Sequence, residues 1–231
     1  MIRTVNLSKV FRTEQVETTA LNNVSFEVNR GEFVAIMGPS GCGKSTLLNI
    51  LGLLDNSDTG EYYFDNTEVS RFGERQRTNL RKGNIGFIFQ SFNLIEELTI
   101  YENVELPLLA IGESLQSRRT KVDEILQKMR IGHRRDHFPR QLSGGQQQRA
   151  AIARALITKP KLILADEPTG NLDSSNGEQV MQLLEEMNSD VTTIVMVKHS
   201  MDHAERAHRI VNLFDGHIVM ERSERVFEPV K

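Results

Sequence analysis

The sequence predicts an α/β fold, a mixed sheet that carries an anion-binding loop and is interrupted by a largely helical insertion. Three observations carry this. Phe33 to Met37 is an unbroken apolar run, Gly38 to Thr46 is rich in glycine, and Leu47 to Leu54 reads as a buried helix. Strand, glycine loop and helix in that order form a phosphate-binding unit. Further along, Leu162 to Ala165 and Val191 to Val197 are apolar runs of strand length that end in polar residues. Between these groups, from Phe72 to Phe138, helical spacing replaces the β-α alternation.

Residues 3–11 and 19–28 are rich in β-formers, and Asn29-Arg30-Gly31 is a turn signal. Phe11 ends the first strand, where it can stack on a purine base or simply fill the core. The loop that follows Met37 runs Gly38, Pro39, Ser40, Gly41, Cys42, Gly43, Lys44, Ser45, Thr46 and fits G-x-x-x-x-G-K-[ST]. Its glycines let successive N–H groups point at an anion, and the helix starting near Lys44 adds the positive end of its dipole. Lys44 is placed to reach β- and γ-phosphates, and the Ser45 hydroxyl to ligate Mg²⁺.

After the turn at Asp55 to Gly60 come a short strand (Glu61 to Phe64), a polar helix (Arg71 to Lys82) and an apolar strand (Ile85 to Phe89). Gln90 follows that strand directly, at the end where ligand contacts gather in such sheets; plain loop polarity is the other reading. An apolar loop (Phe92 to Leu98) opens one helix (Thr99 to Ile111), and a second runs from Ser114 to Arg130. Ser143-Gly144-Gly145-Gln146 then precedes a strong helix, Gln147 to Leu156. It is either a second anion-binding turn, without a lysine, or an ordinary helix start capped by Ser143.

Asp166 and Glu167 cap the strand from Leu162. Asp166 stands where a phosphate-loop protein places the acidic partner of its Mg²⁺, and Glu167 can act as general base on an attacking water. His199 ends the next strand at a matching position, suited to the γ-phosphate, and Lys198 precedes it. Arg209 to Glu221 is a hairpin turning at Asp215-Gly216, and 222–231 is expected to be loose.

The totals narrow the classes. Apolar residues are 39% and charged residues 26%, as in soluble globular proteins. A net charge of −3 offers no basic field for nucleic acid. The single cysteine, Cys42, excludes an intrachain disulfide. No apolar stretch reaches the roughly 18–20 residues that span a bilayer, and the N-terminus has no signal-peptide pattern. The expectation is a soluble chain that another subunit would have to hold at any membrane.

Together these motifs resemble the ATP-binding cassette (ABC) family over roughly residues 2 to 221. Gly38 to Ser45 resembles Walker A, Gln90 the Q-loop, Leu142 to Gln146 the family signature, Leu162 to Asp166 Walker B, Glu167 its catalytic glutamate, Asn171 to Asp173 the D-loop and His199 the switch histidine. Phe11 falls at the adenine-stacking position. The resemblance implies a single P-loop NTPase domain over 1–231 of the ABC ATPase fold: a RecA-like mixed sheet core, an antiparallel β subdomain and an α-helical subdomain at about 92–142. It implies ATP and Mg²⁺, the metal held by Ser45, Gln90 and Asp166, with Glu167, His199 and Gln90 as catalytic residues. It also implies that Ser143 to Gln146 and Asp173 of one copy complete the phosphate loop of another, in a head-to-tail dimer.

Within the family the likeness is to the MacB/LolD group, on Leu48 to Asp55, Gly86 to Leu94, Glu102 to Leu108 and Ala165 to Ser174. Such subunits work on the cytoplasmic face of the bacterial inner membrane beside an integral permease with few spans. They power export, lipoprotein release, or efflux and resistance to macrolides or antimicrobial peptides. Cell-division relatives signal through the membrane partner without moving a substrate, an alternative the sequence leaves open. Lys198 departs from the usual threonine. A chromosome-maintenance ATPase is disfavoured because about a hundred residues, with no sustained heptad, separate Walker A from the signature. A translation factor would carry two cassettes, and a GTPase an N/T-K-x-D motif that Thr158 to Lys161 lacks.

Overall fold

A computed structural model describes residues 1–13, 16–189, 192–199, 201, 203–224 and 227. In chain order the elements are β1 (Ile2–Arg12), β2 (Glu17–Val28), β3 (Phe33–Met37), α1 (Lys44–Leu51), β4 (Thr59–Phe64), β5 (Thr67–Glu68), α2 (Glu74–Arg81), β6 (Ile85–Phe89), α3 (Ile100–Ala110), α4 (Leu115–Lys128), α5 (Gly144–Leu156), β7 (Leu162–Asp166), α6 (Ser174–Ser189), β8 (Thr193–Lys198), β9 (Arg209–Phe214) and β10 (His217–Ser223). They form two compact units, Met1–Arg81 with Glu185–Lys231, and Lys82–Leu184.

In the first unit β2, β1, β4 and β5 make an antiparallel sheet. Beside it in sequence, β3 runs parallel to both β8 and β9, and β9 turns back antiparallel into β10. With a strand on each side, β3 buries all its residues, which is why it reads as a continuous apolar run and not an alternating one. Glu32, buried just ahead of β3, is neutralised by Arg209 at 2.8 Å; the same guanidinium reaches Glu221 at 2.6 Å and the backbone carbonyl of Glu27. One cation thus ties together β2, β9 and β10.

In the second unit β6 and β7 are parallel, from Ile85 opposite Leu162 to Phe89 opposite Asp166. Helix α5 packs on β6 and on α3, and its buried face is small (Ala150, Ala151, Ala153, Ala155), so the layers approach closely. Three helices start at residues legible as caps. Thr99 forms a capping box with Glu102, Ser114 accepts from Ser117 N, and Ser143 forms a capping box with Gln146.

The structure moves some boundaries. Helix α5 begins at Gly144, not Gln147, because the capping box makes the two glycines its first turn. Arg222 and Ser223, expected to be loose, pair with Ile210 and Arg209. Val191, expected to open β8, and the tail from 228 lie outside the described residues. Among the described residues no helix is long and apolar enough to cross a membrane.

Candidate functional site

The first unit holds the phosphate loop. Gly43, the N-cap of α1, has φ 100°, and a Cβ there would run into the Ala20 carbonyl of β2, so the turn requires glycine. No side chain caps α1 and no acid lies in its first turn, which leaves its N-terminal amides without a local anion. Lys44 is buried, and its Nζ donates to the carbonyls of Gly38 (2.9 Å) and Pro39 (2.7 Å), with Cys42 Sγ at 3.7 Å. Ser45 is exposed. The cradle therefore pairs a folded cation with open amides, a fit for a polyanion such as a nucleotide's phosphates.

The parallel register sets His199 beside this loop. Met37 lies opposite Lys198, so the next residues, Gly38 and His199, meet, with His199 Nδ1 3.3 Å from the Gly38 carbonyl. Lys198 is the last residue of β8, all of which is buried, and His199, one position beyond the strand, is exposed. Phe11 is 46% exposed with Lys9 Nζ 5.3 Å from its ring centroid. That rules out the core-filling role and sets the Lys9 ammonium over one face of the ring. It lies opposite Thr18, two residues before the Ala20 that touches Gly43.

The second unit gathers the other candidates. Phe89 pairs with Asp166, so Gln90 and Glu167 leave adjacent strand ends. Glu167 has φ 46°, in the left-handed region, and its carbonyl accepts from Gly170 N at 2.9 Å. The strand end is thereby bent sharply away from β7. Asn171 holds Gln90 twice, accepting from its Nε2 (3.3 Å) and donating to its carbonyl (3.1 Å). Asp173 accepts from Asn176 N (3.0 Å) and Nδ2 (2.6 Å), and these bonds hold its carboxyl below the usual range. A Cβ at Gly145 would collide with the same Asn176 amide, so the Ser143 to Gln146 turn seats directly on the Asp173 loop. The capping reading of Ser143 holds in this chain: Ser143 Oγ accepts from Gln146 N at 3.4 Å and Gln146 Oε1 from Ser143 N at 3.1 Å.

Three further side chains act here that the sequence reading missed. Arg154 of α5 donates to the carbonyls of Phe92 (2.9 Å) and Asn93 (2.5 Å), both residues at positive φ, and burial lowers its pKa. Asn103 is fully buried and bonds Ile95 N, Ile95 O, Leu98 O and Thr99 O. With Asn171 they grip the loop after Gln90 by its backbone, which leaves Ser91, Asn93, Ile95, Glu96 and Glu97 exposed. Gln148 is the third. It is fully buried on α5, with Nε2 2.5 Å from the Pro168 carbonyl. None carries a local pattern. A polar side chain within a helical stretch is the only signal, and it names no partner.

Among the described residues no three His, Cys, Asp or Glu side chains converge into a metal cage. Ser45 in the first unit and Asp166 in the second each carry a hard oxygen donor of the kind Mg²⁺ takes.

A family model described as ABC transporter matches residues 21–170. An uncharacterized ABC transporter ATP-binding protein of Methanocaldococcus jannaschii is 48% identical over 219 residues, covering 95% of this chain and 98% of its own. A second one from that organism is 47% identical over 233 residues, 99% of each. That second cassette has a solved dimeric structure in a post-hydrolysis state bound to ADP and Pi, which matches with a TM-score of 0.92 at 45% identity over 98% of this chain and 100% of that one. The macrolide export ATP-binding/permease protein MacB of Brucella melitensis is 44% identical over 225 residues, 97% of this chain but 35% of MacB.

Proposed function

This chain belongs to the ABC transporter family as an ATP-hydrolysing cassette, and on that premise we propose that it powers a membrane-embedded permease of the MacB/LolD kind. The work driven is export, lipoprotein release or efflux, from the cytoplasmic face of the membrane. The observation that carries the reading is the phosphate loop, with Lys44 folded onto its own carbonyls at the uncapped start of α1. Likeness to MacB over nearly the whole chain, which spans 35% of that protein's length, supports the efflux role.

ATP brings the γ-phosphoryl group, and Mg²⁺ neutralises charge on its oxygens. Gly38 to Thr46 bind the phosphates through backbone amides, and Lys44 exchanges the Gly38 and Pro39 carbonyls for phosphate oxygens. Ser45, Gln90 and Asp166 would hold the metal. Glu167 accepts the proton of the attacking water, His199 orients the γ-phosphate and Phe11 stacks on the adenine. Ser143, Gly144, Gly145, Gln146 and Asp173 of a second copy close the site. Dimerisation is favoured because nucleotide binds two surfaces at once, a differential affinity for the closed state.

Glu167→Gln tests the chemistry. It removes the base and keeps the shape, so ATP binding should persist while turnover falls by roughly a hundredfold or more, and an ATP-loaded dimer should accumulate on gel filtration. Turnover at the wild-type rate would remove Glu167 from the role.

A further inference from the structure

We propose that Gln148 is a positioning residue for Glu167, acting through the Pro168 carbonyl. The inference rests on the reading of Glu167 as the base.

Gln148 is fully buried, yet it makes one hydrogen bond, Nε2 to Pro168 O at 2.5 Å, and its Oε1 accepts none. The amide cannot be reversed without setting two acceptors against each other. A buried side chain serving packing alone would be apolar there, since an orphaned acceptor is unfavourable. What the fold gains is one donor aimed at the Pro168–Thr169 peptide, one residue beyond Glu167. That peptide needs holding. Glu167 is at φ 46°, a conformation costly for a glutamate, and the Gly170 N to Glu167 O bond closes the turn that follows it. Gln148 adds a second restraint to that turn, at the Pro168 carbonyl, from within helix α5.

The helix is also informative. α5 opens with the Ser143 to Gln146 turn, and Gln148 lies within its next turn. A shift of α5 therefore moves the donor that fixes Glu167. The half-site this chain offers to another copy is thus linked, by one side chain, to its own general base.

The test uses the purified full chain with Gln148→Met, Gln148→Glu and Glu167→Gln, singly and with Gln148→Met added to Glu167→Gln. Methionine keeps the volume and deletes both the donor and the orphaned acceptor, so thermal unfolding should stay near wild type. We expect its kcat to fall about tenfold with KM for MgATP nearly unchanged, the signature of a lost transition-state interaction. In the Glu167→Gln background it should alter neither ATP binding nor the accumulation of ATP-loaded dimer. Gln148→Glu should match the methionine variant at pH 8 and recover as pH falls, because only the protonated carboxyl can donate to Pro168 O. A purely packing role would show no such acid recovery. If Gln148→Met turns over at the wild-type rate while Glu167→Gln is slow, the inference fails and the general base stands. If Glu167→Gln is itself fast, the general-base reading fails and the inference with it. A rise in KM alongside the kcat loss, or a further loss of ATP-loaded dimer in the double variant, would mark general damage and also overturn it.

Discussion

Lys44 is the residue whose surroundings say most. A buried ammonium normally pairs with a carboxylate, yet this one takes two carbonyls of its own loop and lies near a thiol. Those carbonyls neutralise it only in part, so the loop is held in shape by a cation still able to bind a stronger anion. Lys44→Ala should therefore weaken ATP binding by at least tenfold, the scale of one charge-assisted hydrogen bond, as read by titration with a fluorescent nucleotide. Affinity within twofold of wild type would mean that the amides of α1 suffice alone. Phe11 makes the complementary case. Its exposure was not legible in the sequence, where an aromatic at a strand end fits core and surface equally well. The register of β1 with β2 decides it by carrying Phe11 past the covered part of the sheet.

At the scale of elements, local signals were legible and distant ones were not. The S/T-x-x-E/Q patterns at Thr99 and Ser143 are set by neighbours three residues away, and the strands β3, β7 and β8 carry their burial in their own composition, so both are legible in the sequence. Asn171 and Gln90 lie 81 positions apart and Arg154 and Phe92 lie 62 apart, and nothing near any of them announces the pairing. Asn103 shows how much such a contact carries. It satisfies four backbone groups between Ile95 and Thr99. Asn103→Ala should cost about 3 kcal/mol or more in a urea melt and disorder the loop after Gln90. A loss under about 1 kcal/mol would show that water replaces the side chain. The start of α3 also has a defined pH response. Bonds from the backbone and hydroxyl of Thr99 lower the Glu102 pKa from its usual 4.5. A lowered folded-state pKa gives stability that is present above the unfolded value and lost as pH falls through the folded one. Amide exchange in the first turn of α3 should thus accelerate only below about pH 4.5, and Glu102→Gln, which still closes the box, should abolish that dependence.

At the scale of the molecule, the candidate residues divide between the two compact units, with Gly38 to Thr46, Phe11 and His199 in one and Gln90, Asp166, Glu167, Asp173 and the Ser143 turn in the other. The family order of motifs was legible throughout, and the match to a solved cassette at a TM-score of 0.92 bears out the fold class read from it. A chain, however long, cannot tell from its own sequence which copy completes which site. The capping box of Ser143 sharpens the question, because it satisfies two of that turn's amides within one chain, so a phosphate from a second copy would have to compete with it. If the second copy supplies it, two inactive variants should rescue each other. Lys44→Ala damages the phosphate loop and Ser143→Arg blocks the helix start with a bulky cation. In a homodimer of either variant, both composite sites are damaged. In a mixed dimer of head-to-tail arrangement, one site collects both lesions and the other has an intact phosphate loop from one chain and an intact Ser143 turn from its partner. Mixing the two inactive proteins should restore ATP turnover in proportion to the mixed dimers formed, measured as phosphate release across a series of mixing ratios with a maximum near equal amounts. If each chain instead closed its own phosphate loop, every site in the mixture would carry one lesion, and no ratio would restore activity.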